Sequence, residues 1–274
     1  MVIDTTKCNG CYNCFLACKD EFCGNNYSPY SAAQPYTGHF WMRLTEKERG
    51  KLPKVKMAFT AVPCMQCENA TCIDTSQDNG VYRRPDGIVI IDPEKAAGRE
   101  EIISSCPYRV IYWNEEEKLP QKCTFCAHLL DKGWKEPRCV EACPTNALIF
   151  GDLDDPDSEI SKITASENLE ELHPEYGLKP GVKYIGLPKR FIAGSVVLGD
   201  QKGEWAENVE ITLIDSTDNK TVKTDSYGDF EFEGLKPDQE YSLKVEYQGY
   251  TSEELNVRTN TDVFLGEIIL SPNN

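Results

Sequence analysis

Four cysteines near the start of the sequence have the spacing of metal ligands. The stretch "CNGCYNCFLAC" contains Cys8, Cys11, Cys14 and Cys18. In a C-x2-C-x2-C-x3-C run the first three thiolates hold one 4Fe-4S cluster, and the fourth, on the helix that follows, reaches a different cluster. Zinc is the alternative, but zinc ligands come as two separated pairs rather than as four cysteines in a row. The run therefore predicts iron-sulfur chemistry and single-electron transfer.

A second run of four cysteines lies far along the chain. The stretch "CTFCAHLLDKGWKEPRCVEACP" contains the two pairs Cys123 with Cys126 and Cys139 with Cys143. Where two such runs occur together, each gives three ligands to its own cluster and one to the cluster of the other run. This crosswise rule predicts Cys8, Cys11, Cys14 and Cys143 for cluster 1, and Cys18, Cys123, Cys126 and Cys139 for cluster 2. Both runs should therefore belong to one folded unit.

The segment between these runs keeps the ligands of one further cluster and lacks those of another. "CMQCENATC" and a later Cys-Pro pair supply the predicted ligands of cluster 3, which are Cys64, Cys67, Cys72 and Cys106. The same spacing marks the ligand positions of a fourth cluster, and these are Ser76, Ala96, Arg99 and Ile102. We therefore predict three clusters on a scaffold laid out for four. Ile102, Ile103 and their neighbours should fill the remaining space, because a large void would be costly.

The elements that must position these ligands fall into two domains. We predict an iron-sulfur domain over 1–189, in which a ferredoxin unit made of 1–20 and 120–150 contains an inserted second ferredoxin unit at 60–115, with a connecting segment at 150–189. From residue 190 onward, about seven short alternating strands with turn residues between them predict a small antiparallel β-sandwich. The predicted fold class is α+β, a tandem bacterial-ferredoxin-like domain followed by an all-β prealbumin/immunoglobulin-like sandwich.

Composition restricts the partners and the location. The net charge of −16 argues against nucleic acid as a partner, because binding to nucleic acid needs a basic face.

The sequence also bears on the location of the chain. No apolar run approaches the ~18 residues of a membrane span. The first ligand stands at residue 8, which leaves no room for a signal sequence. All 13 cysteines lie between Cys8 and Cys143, an odd number that fits metal ligation better than a disulfide framework. We expect a cytoplasmic chain that is not itself a membrane subunit.

The order of the cysteine runs, followed by "NALIFGDLDDPDSEISK", resembles the electron-transfer iron-sulfur subunits of the dimethyl sulfoxide reductase family of molybdopterin oxidoreductases. The resemblance covers residues 1 to about 190. It implies a large catalytic partner that carries a molybdenum or tungsten bis-pterin cofactor and the substrate site, so that this chain is a non-catalytic subunit of a heterodimer or higher assembly. The missing cluster, the absence of an anchor and the appended sandwich resemble the small subunits of cytoplasmic transhydroxylases, which move a hydroxyl group between polyhydroxybenzenes.

Two alternatives remain open. The chain could serve another soluble molybdenum or tungsten oxidoreductase, such as a formate dehydrogenase or an aromatic reductase, or its cysteines could hold zinc in an assembly module. The segment "TDSYGDFEFEGLKPDQEYSLKVEYQGY" resembles a prealbumin-like or carboxypeptidase regulatory-like module, without a catalytic constellation.

Other residues with possible chemistry favour structural roles. Cys23 is interpreted as a free thiol rather than a substitute ligand. The acidic stretch 152–159 is interpreted as a capped turn rather than a calcium site. The three histidines are predicted to be hydrogen-bonded structural residues, and these are His39, His128 and His173.

Overall fold

The computed structural model describes residues 1–76, 78–201, 204–215 and 219–273. The chain forms two compact units, and each is built from two stretches of sequence. The first unit consists of Met1–Glu46 and Phe59–Leu187, and the second of Lys47–Ala58 and Pro188–Asn274.

Strands and helices are mixed along the chain up to residue 187. The strands are β1 (Val2–Asp4), β2 (Arg43–Lys51), β3 (Lys54–Val62), β4 (Val81–Arg83), β5 (Val89–Ile91), β6 (Tyr112–Asn114), β7 (Leu119–Gln121), β8 (Leu148–Ile149) and β9 (Lys183–Ile185). The helices are α1 (Asn13–Phe22), α2 (Thr71–Thr75), α3 (Glu101–Ser104), α4 (Ala127–Leu130), α5 (Arg138–Glu141) and α6 (Glu159–Ser166), with a 3-10 turn at Pro174–Tyr176. The mixture confirms the predicted α+β class.

Helix α1 brings the first and last cysteine runs together. Tyr12 has a left-handed backbone with φ 62°, so the chain turns sharply from the first cysteine loop into the helix. Cys14 and Cys18 are four residues apart and therefore lie on one side of α1, where both are buried. This helix packs against α5, which contains Cys139.

A small sheet joins the two ends of the first unit. Strand β1 pairs antiparallel with β8 and parallel with β9. Its residues Val2 and Ile3 are each 1% exposed, as expected for a central strand covered on both faces. Next to this pairing, the Asp4 N–H donates to the Ala147 carbonyl at 2.8 Å. The segments that carry the first and last cysteine runs are thus fixed to each other by backbone hydrogen bonds.

The middle cysteines belong to a smaller substructure with its own apolar core. Helix α2 is followed by the antiparallel hairpin β4–β5 and then by α3, after which the chain reaches Cys106. The core of this substructure consists of Ala70, Val81, Val89, Ile91, Ala96, Ile102 and Ile111. Cys67, Cys72 and Cys106 are half-buried and pack against that core, so it supports the thiols directly.

The second unit is a β-sandwich of short strands. They are β10 (Arg190–Leu198), β11 (Glu210–Ile214), β12 (Asn219–Lys223), β13 (Asp229–Leu235), β14 (Glu240–Glu246), β15 (Glu253–Arg258) and β16 (Val263–Leu270). One sheet has the order β13-β10-β16 and the other β12-β11-β14-β15. Buried and exposed residues alternate along β11 and β14, so each presents one face to the core. The described residues thus confirm the predicted sandwich.

One strand pair corrects the antiparallel prediction for the sandwich. Strands β10 and β16 run parallel, with Val196 opposite Ile268. The reason is the route of the chain, since β15 lies in the other sheet and the chain must cross over before it forms β16. The last strand therefore cannot be the hairpin partner of the strand before it.

Residues 47–58 belong to a different unit from the one predicted, since the sequence placed them in the domain 1–189. They form the tip of the β2–β3 hairpin, and the structure groups them with the second unit rather than with the cysteine-rich part of the chain. Arg49 pairs with the buried carboxylate of Asp262 at 2.8 Å, and Lys56 pairs with Glu231. The Arg49 guanidinium also lies over the Phe191 ring, 5.5 Å from its centroid. Ion pairs between residues so distant in sequence cannot be recognised from the sequence alone.

Candidate metal centres

The thiols predicted as ligands belong to the three predicted groups of four. Site 1 consists of Cys8, Cys11, Cys14 and Cys143; site 2 of Cys18, Cys123, Cys126 and Cys139; and site 3 of Cys64, Cys67, Cys72 and Cys106. All are free cysteines. In each site the pKa of at least one thiol is raised by the charges of the other three.

Site 1 is built from the first cysteine loop and the end of α5. Burial, together with the charges of the neighbouring Cys8, Cys143 and Cys11 thiols, raises the pKa of Cys14 to about 11. Burial acts to raise the pKa of Cys143 too, but hydrogen bonds led by those from Thr145 lower it below its ordinary value. A lowered pKa favours the thiolate, which is the form that binds metal. Cys11 is exposed, so site 1 reaches the surface of the chain.

The loop of site 1 requires glycine at position 10. Gly10 has φ +74°, and a Cβ there would lie 2.5 Å from the Phe59 ring. Only glycine adopts this conformation freely and leaves room for the aromatic ring. Gly10 therefore lets the backbone between Cys8 and Cys11 turn tightly.

Site 2 is the most deeply buried group. Burial raises the pKa of Cys139, and the Cys123, Cys126 and Cys18 thiols raise it further. Phe125 and Cys126 both have left-handed backbones, at φ 50° and 52°, which curl the loop after Cys123. The Phe125 N–H donates to the Cys123 sulfur at 3.4 Å. This site excludes water and supplies a backbone donor to a sulfur atom.

Site 3 borders a small cavity of about 20 Å³. Burial, together with the charges of the Cys64, Cys106 and Cys72 thiols, raises the pKa of Cys67 to about 12. The lining is mostly apolar and includes Val89, Val110 and Ile111. One charged residue, Lys122, also lines this cavity.

The donor sets fit a 4Fe-4S cluster at each site. Several thiolates buried together would repel one another, and burial disfavours each charge, unless a metal compensates them. A coordinating metal deprotonates the thiol outright. Four cysteine thiolates, with backbone N–H groups directed at the sulfurs, are the ligand set of such clusters. The Ala147 N–H, which donates to the Cys143 sulfur at 3.3 Å, is a donor of this kind.

The four positions without cysteine do not form a fourth thiol site. Ser76 accepts a hydrogen bond from the Val81 N–H at 2.8 Å, and Arg99 pairs with Asp78 at 3.2 Å. Ala96 and Ile102 are both 0% exposed in the apolar core of the middle substructure. Packed side chains lie at these positions, and Ile103 contacts the same core from a half-buried position.

Restoring cysteine at all four positions should leave the iron content unchanged. The quadruple variant Ser76→Cys, Ala96→Cys, Arg99→Cys and Ile102→Cys regains the ligand types but not the space, because the surrounding apolar core remains packed. Iron and sulfide analysis of the purified variant checks this expectation against the unmodified chain. A gain of about four irons would show that the core can reopen.

The remaining candidate residues have local partners. Cys23 is half-buried, and its N–H ends α1 by donating to the Lys19 carbonyl. In the acidic stretch 152–159, Ser158 caps α6 by accepting from the Ser161 N–H. No group of three or more His, Cys, Asp or Glu side chains within the described ranges is arranged to hold a single metal ion.

Each histidine has a hydrogen-bond partner. His39 Nε2 lies 2.7 Å from the Trp113 carbonyl oxygen, His128 Nε2 lies 2.9 Å from Glu21, and His173 Nδ1 lies 2.9 Å from Glu175.

Lys122 is the site residue that sequence reasoning missed. It is 2% exposed, although lysine is among the residues least often buried. Its position directly before the ligand Cys123 is a weak signal in the sequence, because lysines beside cysteines are common on protein surfaces.

Comparison with known families agrees with this geometry. The model of the 4Fe-4S dicluster domain matches residues 55–153. The model of the carboxypeptidase regulatory-like domain matches residues 192–265. Fold and sites thus define an iron-sulfur protein with an additional β-sandwich domain.

Individual relatives show to which family the chain belongs. The chain is 38% identical over 278 residues to the pyrogallol hydroxytransferase small subunit of Pelobacter acidigallici, covering 98% of both chains. It is 36% identical to a putative dimethyl sulfoxide reductase iron-sulfur subunit of Halobacterium salinarum, over 68% of this chain and 78% of the relative. It is 34% identical to a sulfite dehydrogenase subunit of Allochromatium vinosum, over 69% and 82%. The chain belongs to the family of electron-transfer iron-sulfur subunits of molybdopterin oxidoreductases.

The helices in the described part of the chain were compared with the requirements of a membrane span. None of its helices has both the length and the apolar character needed to span a bilayer.

Proposed function

We propose that this chain carries three 4Fe-4S clusters, one at each thiol site. The observation that carries the proposal is the crosswise grouping of twelve cysteines from distant runs. Site 1 takes its fourth thiol from the run that supplies site 2, and Cys18 of the first run belongs to site 2. Site 3 takes its fourth thiol from Cys106, beyond the packed positions of the missing cluster.

Transfer of single electrons is the chemistry that such clusters supply when bound. The residues of the chain hold and surround them. The thiolates fix each cluster, and backbone N–H groups such as those of Phe125 and Ala147 stabilise negative charge on sulfur. Burial of site 2 keeps water from its ligands. These roles require no substrate pocket, so the chain acts as a non-catalytic subunit and the substrate site belongs to its partner.

The partner that we propose is the large subunit of a pyrogallol-phloroglucinol transhydroxylase, which would carry a molybdenum bis-pterin cofactor and transfer a hydroxyl group between polyhydroxybenzenes. Similarity to the pyrogallol hydroxytransferase small subunit extends over 98% of both chains, and so includes the second unit. The two relatives named for dimethyl sulfoxide and sulfite match only 68% and 69% of this chain. The second unit therefore favours the hydroxytransferase assignment over that of another soluble molybdenum or tungsten oxidoreductase.

We propose a cytoplasmic heterodimer as the setting. Thirteen free cysteines are suited to a reducing compartment, where disulfides rarely persist. Cell fractionation under anaerobic conditions tests the location, and recovery in a membrane or periplasmic fraction would contradict it.

Metal analysis of the complex, purified anaerobically with its partner, tests the proposed function. We expect about twelve irons and as much sulfide for this chain, in addition to iron of the partner, and about one molybdenum per complex. Zinc in place of iron would instead support the assembly-module alternative. A complex with the expected iron that oxidises formate and does not convert pyrogallol would retain the cluster assignment and reject the transhydroxylase partner.

A further inference from the structure

Lys122 is a buried lysine, 2% exposed. Its Nζ donates hydrogen bonds to the main-chain oxygens of Val89 and Cys123. Among the described residues no ion pair joins this ammonium to an acidic side chain. A buried charge is strongly destabilising unless an opposite charge compensates it. The fold must therefore supply negative charge near Lys122 by other means.

The thiol sites are the source of negative charge next to this lysine. Lys122 lines the cavity of site 3 and directly precedes Cys123 of site 2. The charge of Lys122 acts on the thiols of both Cys72 and Cys123. An ammonium has three N–H donors, and the two carbonyls use two of them. One donor is left over after these two hydrogen bonds.

We propose that Lys122 is the fixed positive charge that raises the reduction potential at site 3, so that an added electron is held there. The inference rests on the proposed function, since it needs a 4Fe-4S cluster at that site. One electron, supplied by dithionite in the test below, makes such a cluster more negative by one charge, and a nearby cation stabilises the reduced form. Net charge and hydrogen bonds to sulfur are among the factors that set cluster potentials.

Site 1 provides the internal reference. Cys11 is exposed there, whereas Lys122 is enclosed beside site 3. Water weakens charge interactions at an exposed site, and the buried setting preserves them. Loss of the lysine charge should therefore change the potential at site 3 more than that at site 1.

Two variants separate the charge of Lys122 from its hydrogen bonds. Lys122→Gln removes the charge and keeps donor groups, and Lys122→Met removes both. Lys95→Met is the matched control, because it removes one positive charge from a lysine whose side chain is 55% exposed. The anaerobic complex is titrated with dithionite in the presence of mediators and followed by electron paramagnetic resonance. The transition missing from a Cys106→Ser variant identifies site 3.

We expect both Lys122 variants to lower the equilibrium constant for reduction at site 3 at least tenfold, which is about 59 mV for one electron. Site 1 and the Lys95→Met control should be unchanged. An unchanged site 3 potential in Lys122→Gln with full iron content would overturn the proposal, and so would an equal shift in the control. Loss of iron from both Lys122 variants would also overturn it, because Lys122 would then be needed for assembly rather than for the potential.

The proposed function can fail separately from this inference. The iron content of the unmodified complex decides the presence of clusters before any variant is made. Full iron together with an unmoved potential rejects only the role of Lys122.

Discussion

Substituting Cys106 by serine is expected to leave about eight irons on a chain for which we propose about twelve. Cys106 follows α3 and contributes its thiol to site 3 beside Cys64 and Cys67. Without it the site keeps three thiols, and the lining of the cavity described for site 3 supplies no further cysteine. Iron, sulfide and spin quantification on the anaerobic complex measure the loss.

A second cysteine variant shows whether the loss is specific. Cys23→Ser removes a half-buried thiol that belongs to none of the three sites, and it should leave the iron content unchanged. A full complement of iron in Cys106→Ser would contradict the crosswise assignment of site 3. Loss of iron from Cys23→Ser would mean that this thiol is a ligand.

Replacing Ile102 by alanine is expected to destabilise the middle substructure by about 2–5 kcal/mol without removing iron. Ile102 is 0% exposed and packs among the side chains of the apolar core around β4 and β5. Deleting its outer carbons removes apolar contacts and leaves a cavity in the space of the missing cluster. Hydrogen exchange of residues 70–111, followed by mass spectrometry, measures the free energy of local opening.

The neighbouring isoleucine provides the comparison. Ile103 is half-buried at the edge of the same core, so Ile103→Ala should cost clearly less than Ile102→Ala. Equal costs, or a cost below about 1 kcal/mol for Ile102→Ala, would mean that the core tolerates the void.

The sequence is enough to predict the ligand groups, because the cysteines that hold one cluster recur at short, fixed spacings. Cys8, Cys11 and Cys14 must meet from one tight loop, and the crosswise rule supplies the fourth thiol without any knowledge of the fold. The sandwich could also be predicted, since apolar and polar residues alternate along β11 and β14, as expected for strands with one buried face. Both patterns involve residues that are close together in the sequence, so they can be recognised without the fold.

Features that depend on distant contacts could not be predicted. The parallel pairing of β10 with β16 follows from a crossover between sheets, which leaves no pattern in either strand. The burial of Lys122 depends on Val89 and on the cavity of site 3, both brought to it by folding. A lysine is ordinarily placed at the surface by sequence reasoning, and only the packed structure shows this exception.

The position of the hairpin tip in the second unit has a consequence for biosynthesis. Arg49 leaves the ribosome 213 residues before its partner Asp262. The second unit therefore cannot reach its final form before residue 262 has been made, although its first segment, 47–58, is synthesised before the middle cysteines. Closure of the sandwich strands around this early hairpin must wait for Asp262, and a product truncated before that residue would lack the ion pair.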